Sequence, residues 1–121
     1  MNPQETAQAV LEQIRTNPET YDQAEFETAC GTKRCVAGWA AHFHGYKVRV
    51  SKYFHSQQWY SPAGDAVDIE MVGARVLGLR PFDDEELFYE TDNAQAVHAL
   101  EFLARGEDID WDAVYYEEEQ E

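Results

Sequence analysis

The nine residues Cys35–Phe43, Cys-Val-Ala-Gly-Trp-Ala-Ala-His-Phe, constrain this chain more than any other stretch. They carry no acidic or basic side chain except His42, and Ala37, Gly38, Ala40 and Ala41 have little bulk. A helix that is apolar on every side belongs in the interior, and small residues let a neighbouring element approach it closely. Thr32 is a good N-cap and Gly45 a good stop, so the pattern predicts a central, most buried helix from Lys33 to about His44. A chain of 121 residues has room for one such core and not two. Apolar residues at 44% and aromatics at 13% suffice to fill it, so wholesale disorder is excluded despite the charge.

The remaining elements follow from periodicity and punctuation. Asn2 as N-cap, Pro3 at the first helical position and Glu5 at N3 open a first helix, whose stripe is Ala7, Val10, Leu11 and Ile14. Asn17-Pro18 ends it, and Tyr21 and Phe26 are expected to fold back onto the core. From Tyr46 to Tyr60 the period changes to two, with Tyr46, Val48 and Val50 alternating with Lys47, Arg49 and Ser51, which predicts a hairpin ending at Ser61-Pro62-Ala63-Gly64. Asp65 with Asp68 then starts a helix with the face Ile69, Val72, Val76 and Leu77, stopped by Gly78. A capping box of Asp83 with Glu86 and a staple of Phe82 with Leu87 predict another, and Asp92 with Gln95 caps a last long helix carrying Ala96, Val97, Leu100 and Leu103. The expected fold is mostly α, a small α+β domain of about five helices with one short hairpin near 46–60. Residues 1–106 are read as the globular domain and 107–121 as an acidic tail with an aromatic anchor.

Charge is unevenly distributed. Twenty-four acids against nine bases give a formal charge of −15. Residues 1–60 balance at six acids and six bases, while residues 61–121 carry eighteen acids and three bases. Between Thr28 and Gly64 there is no acid but five bases. So negative a molecule repels phosphates at long range, which argues against direct nucleic-acid binding. No apolar run is long enough to span a membrane, and the first residues lack the basic start and apolar core of a signal peptide, so a cytoplasmic location is expected.

Candidate chemistry centres on three groups. Cys30 and Cys35 have four residues between them, which is not the spacing of redox or zinc-knuckle motifs. His42, seven positions after Cys35, would share a helix face with it, and His44 or His55 offers a fourth ligand, so Cys30, Cys35, His42 and His44 form a conceivable zinc set. Cysteine is, however, ordinarily a small buried apolar residue, and no metal or other cofactor is expected. A thiol at a helix N-terminus is nonetheless acidified, which makes Cys35 a candidate reactive group. Asp108, Asp110, Asp112 and Glu119 fall on positions of a calcium loop, but Ala113 occupies the position that needs glycine; Asp110 is read instead as a cap and Trp111 as an anchor on the core. Finally Lys47, Arg49 and Lys52 interleave with Tyr53, Phe54, Trp59 and Tyr60. Aromatic and basic residues together mark protein interfaces, so these seven are the candidate partner-binding residues.

Residues 30–40, Cys-Gly-Thr-Lys-Arg-Cys-Val-Ala-Gly-Trp-Ala, resemble a Cys-Gly-Thr-x-x-Cys-x-Ala-Gly-Trp motif of small actinobacterial and actinobacteriophage proteins. There the motif is followed by a Leu-Gly-Leu helix and an acidic Leu-Phe segment, with counterparts here in Val76-Leu77-Gly78-Leu79 and Asp84-Glu85-Glu86-Leu87-Phe88. The resemblance covers most of residues 17–106, with the hairpin as an insertion, and implies a phage or actinobacterial context rather than an activity. The reading that results is a non-catalytic accessory protein, monomeric, that binds a host or phage protein. Two alternatives stand beside it: an acidic DNA mimic that occupies a DNA-binding protein's cleft, and a small zinc- or thiol-dependent enzyme centred on Cys30, Cys35 and His42.

Overall fold

The computed structural model describes residues 1–22, 35–50 and 57–116. Helix α1 (Pro3–Thr16) starts as its sequence dictates. The Asn2 side chain accepts from the Glu5 N–H at 2.8 Å, and the Glu5 carboxylate accepts from the Asn2 N–H at 2.9 Å. Ala7, Val10, Leu11 and Ile14 are all buried. After Asn17 a single tight turn, Pro18–Thr20, delivers Tyr21 to the core, where it is buried; Phe26 lies outside the described residues. The Trp39 indole N–H donates to the Thr20 carbonyl at 3.0 Å and ties this turn to the central helix.

That central helix, α2 (Val36–Phe43), begins later than its sequence predicts. Cys35 is extended and forms the N-cap itself, so no helix runs through it from Lys33; Thr32 lies outside the described residues. Its centrality is as expected, with Val36, Ala37, Ala40 and Ala41 fully buried. The close approach falls on one of its alanines and on a glycine the sequence reading passed over. Gly73 of α3 (Ile69–Leu77) faces Ala37 so closely that a Cβ on it would lie 3.0 Å from the Ala37 Cβ and 3.0 Å from the Phe88 ring.

Between these helices the chain makes an antiparallel sheet of order β1-β2-β3: β1 (Lys47–Val50), β2 (Gln57–Tyr60) and β3 (Ala66–Val67). The predicted hairpin is present, but a third strand occupies the place where the sequence suggested a helix start. Ser61 and Gly64 close a tight turn, with Ser61 N–H to the Asp65 carbonyl at 2.8 Å, and this returns the chain alongside β2. Asp68 alone, accepting from Glu70 N–H at 2.9 Å, therefore caps α3, and Gly78 ends it in the left-handed conformation.

The next segment departs furthest from expectation. Phe82 has φ +74° and is 77% exposed, so it staples nothing, and Asp83 makes no cap. The chain turns once as α4 (Asp83–Glu85) and widens into a π-helical turn, Glu86–Glu90, which puts both Leu87 and Phe88 into the core. Asp83 is itself buried because its carboxylate has other partners: Arg80 Nε at 3.1 Å and the Trp111 indole N–H at 2.9 Å. Helix α5 (Asn93–Ala104) carries the predicted Asp92–Gln95 capping box and packs along α1. Gln4 and Gln8 both donate to the Ala104 carbonyl, and Arg15 pairs with Glu101 across the same seam.

Residues 107–116 are no appendage, and 117–121 lie outside the described residues. Ile109 and Val114 are buried in the same core, and α6 (Trp111–Tyr116) packs on α5, so the boundary expected at 106 lies inside the domain. Asp110 caps α6 by accepting from Ala113 N–H at 3.1 Å, as its position suggested. The fold is thus a mostly helical, single-domain α+β arrangement with a small three-stranded antiparallel sheet.

Because Gly73 has no room beside Ala37, Gly73→Leu is expected to overpack the α2–α3 contact and cost about 1–3 kcal/mol. Urea unfolding followed by circular dichroism measures it; an unchanged midpoint would place the contact elsewhere.

Candidate functional site

The sheet decides which of the basic and aromatic residues are available. Lys47 pairs with Tyr60 and Arg49 with Gln58, whereas Val48 pairs with Trp59 and Trp59 with Val67. Directly opposed residues share a face, so Lys47, Arg49, Gln58 and Tyr60 form the outer side and Val48, Trp59 and Val67 the inner. Lys47 and Arg49 are exposed, and the Arg49 guanidinium lies over the Tyr60 ring, 5.5 Å from its centroid. A cation at that distance is attracted by the ring's negative face, which holds Arg49 against the sheet. Trp59 is 3% exposed, which corrects its assignment as a partner-binding residue: the period-2 alternation puts it on the face opposite Arg49. Lys52, Tyr53 and Phe54 lie outside the described residues.

The thiol and imidazole groups do not converge as the spacing suggested. Cys35 is an extended N-cap rather than a helical residue, so a seven-residue helical interval to His42 does not apply. Cys35 is buried while His42 is exposed, edge-on to Trp39 with ring centroids 5.3 Å apart. Burial pushes the Cys35 thiol up to about 11, outweighing the Gly38 and Ala37 N–H groups that pull the other way. That reverses the expected acidification, because the helix terminus acts here in a dry environment. His44 is the C-cap of α2, with its Nε2 2.7 Å from the Thr6 hydroxyl; burial, helped by the amino-terminal charge and Arg75, lowers its pKa. Among the described residues no three His, Cys, Asp or Glu side chains gather as a metal site; Cys30, His55 and Glu119 lie outside them. Asp108 pairs with Arg80 at 3.5 Å instead of turning toward a calcium loop.

Sequence reasoning missed two arrangements. One is the set Arg80, Asp83 and Trp111, which joins the neighbours Arg80 and Asp83 to a residue 28 positions on. The other is Arg75 of α3, whose guanidinium donates to the Tyr46 hydroxyl. The contacts of Asp83 with Trp111 and of Arg75 with Tyr46 have no local signal, since the partners are 28 and 29 residues apart. Partial burial, then Asp68, Asp84 and Glu85, raise the Glu70 pKa, which means carboxylates from α3 and α4 crowd one area.

No helix among the described residues is long and apolar enough to cross a membrane. Comparison with protein-family models, with curated proteins and with solved structures finds no match to this chain.

A thiol whose pKa is raised on folding stays protonated in the native state while the unfolded chain ionises. Its stabilising contribution is complete below the unfolded value, about 8.5, and is lost as pH rises toward 11. In a Cys30→Ser background, Cys35 is expected to resist iodoacetamide at pH 8 and the urea midpoint to fall between pH 8.5 and 11. Alkylation as fast as in the unfolded chain would show Cys35 to be accessible and acidic.

Proposed function

We propose that this chain is a non-catalytic accessory protein of phage or actinobacterial origin, acting in the cytoplasm by binding a host or phage protein through the outer face of its sheet. One observation carries the reading: the strand register gathers Lys47, Arg49 and Tyr60 on the exposed side and sends the apolar residues inward. A cationic, aromatic face on a molecule of net charge −15 is a local reversal of sign. Such a face steers an acidic protein surface into register and offers the residue types that dominate interface energetics. Lys52, Tyr53 and Phe54 extend the same composition in sequence. The net charge supports a monomer, since two like bodies repel.

A second reading, the acidic DNA mimic, draws on the crowding of Glu70 with Asp68, Asp84 and Glu85. Closely spaced carboxylates on one surface present charge as a phosphate row does. The two readings use different faces, which makes them separable.

Capture from an actinobacterial lysate on immobilised protein separates them when wild type is run beside a Lys47→Glu/Arg49→Glu variant. The sheet-face reading expects a stoichiometric partner on wild type that is absent from the variant. Capture by both proteins, with release as salt rises, would transfer the activity to the acidic face. A partner bound equally by both and indifferent to salt would contradict both readings.

A further inference from the structure

Arg75 and Arg49, which lies over the Tyr60 ring, are the arginines without a carboxylate partner among the described residues of this acidic molecule. Arg15 pairs with Glu101, Arg80 with Asp83 and Asp108, and Arg105 with Glu107. Among the described residues Arg75 pairs with no carboxylate; its contact is the neutral Tyr46 hydroxyl. The guanidinium has five N–H donors, so one bond to Tyr46 leaves most of its hydrogen-bonding capacity unused. Because the Tyr46 oxygen accepts from Arg75, its own proton is left to donate elsewhere.

The Arg75–Tyr46 pair stands where two clefts meet. One, of about 350 Å³, is lined also by His44, Pro3, Pro62 and Val76, and no acidic side chain lines it among the described residues. His44 uses Nε2 on Thr6, and its Nδ1 has no partner among the described residues. The other cleft, of about 360 Å³, runs on from Tyr46 and Arg75 along α3 and is lined by Val67, Met71 and Val72 and by one acidic side chain, Asp68. Met71 is 71% exposed here, beside the buried apolar stripe of α3 to which Val72 belongs. A cation with spare donors and no carboxylate partner thus adjoins the exposed Met71 side chain and the partly buried Val67.

We propose that these adjoining clefts bind a carboxylate that bears an apolar group. The carboxylate lies against Arg75 and Tyr46, whose donors suit its two oxygens, and the apolar group covers Val67, Met71 and Val72. A planar guanidinium matches a carboxylate's geometry better than any other side chain does. Predominantly apolar walls with a few convergent polar groups are what small-ligand sites are made of. Two sources supply this chemistry: a free apolar carboxylic acid, and the C-terminus of a protein chain ending in an apolar residue. The inference does not rest on the partner-binding reading of the sheet's outer face.

The test uses the full chain with ¹³C-labelled methionine methyls. N-acetylleucine is titrated beside N-acetylleucinamide, which lacks the charge, and acetate, which lacks the apolar group. The Met71 methyl is expected to shift saturably with N-acetylleucine, with the other two binding at least about tenfold more weakly, as loss of a charge-assisted hydrogen bond or of the apolar contact implies. Arg75→Gln is expected to weaken N-acetylleucine at least about tenfold, while Arg105→Gln leaves it unchanged. Should Arg75→Gln not fold, Tyr46→Phe and the uncharged amide still decide the matter. A peptide Gly-Ser-Gly-Leu with a free C-terminus identifies the source: binding as tight as N-acetylleucine assigns the site to chain ends, and binding of N-acetylleucine alone assigns it to free acids. Equal binding of acid and amide, no effect of Arg75→Gln in a folded protein, or no saturable shift with any probe would overturn the proposal.

Discussion

Two helices meet at backbone distance only where neither puts a side chain in the way, and in the centre of this molecule that condition is met by Gly73 against Ala37. An added Cβ at Gly73 would sit 3.0 Å from both Ala37 Cβ and the Phe88 ring, so a single missing methyl sets the spacing of α2, α3 and the π-helical turn together. Side chains in such a core lie at crystal-like density and give little when crowded. The chain between the two helices must leave this contact and return to it. It does so as a three-stranded sheet whose inner face, centred on Trp59, closes over the same core. The sheet's outer face is exposed as a consequence, and with it Lys47 and Arg49.

The C-terminal half is fastened by polar contacts of longer reach. Asp83 is buried, yet it receives donors from Arg80 and from the Trp111 indole, so its charge is neither unpaired nor unsatisfied. A buried carboxylate without such partners would be strongly destabilising. Arg80 also donates to the Ile109 carbonyl at 3.2 Å, so one guanidinium links the segment before α4 to the stretch that leads into α6. Tyr115 adds a hydrogen bond to Glu86 at 2.6 Å, and burial followed by that bond raises its phenol pKa. Ile109, Trp111 and Tyr115, from the stretch that reads as an acidic tail, are in this way fastened to the domain. The left-handed backbone of Phe82, adjoining Asp83, accompanies this arrangement, and nothing in the structure explains why phenylalanine in particular occupies it.

What could be read from sequence follows from the range of the interactions. The Asn2–Glu5 and Asp92–Gln95 boxes were legible because both partners lie within one turn. The stripe of α1 and the alternation of β1 were legible because burial imposes a period. The Asp83–Glu86 box had the same local signature but lost its cap to partners 3 and 28 residues away. Cys35 likewise read as a helical residue, and no local feature says that the chain is still extended there. Within the site, alternation alone would have separated Trp59 from Arg49 had the register been known, since odd and even positions of paired strands face opposite ways. Arg75 and Tyr46 were beyond sequence reading, because only the return of α3 to the core brings them together.

If the Ala37–Gly73 contact governs the fold, α2 and α3 cannot open independently. Native-state amide hydrogen exchange tests this most directly. The amides of Ala40 and Ala41 in α2 and of Val76 and Leu77 in α3 are expected to share one opening free energy, the highest in the molecule and equal to that of global unfolding. Exchange of the α3 amides through a cheaper opening, with α2 still protected, would contradict the account.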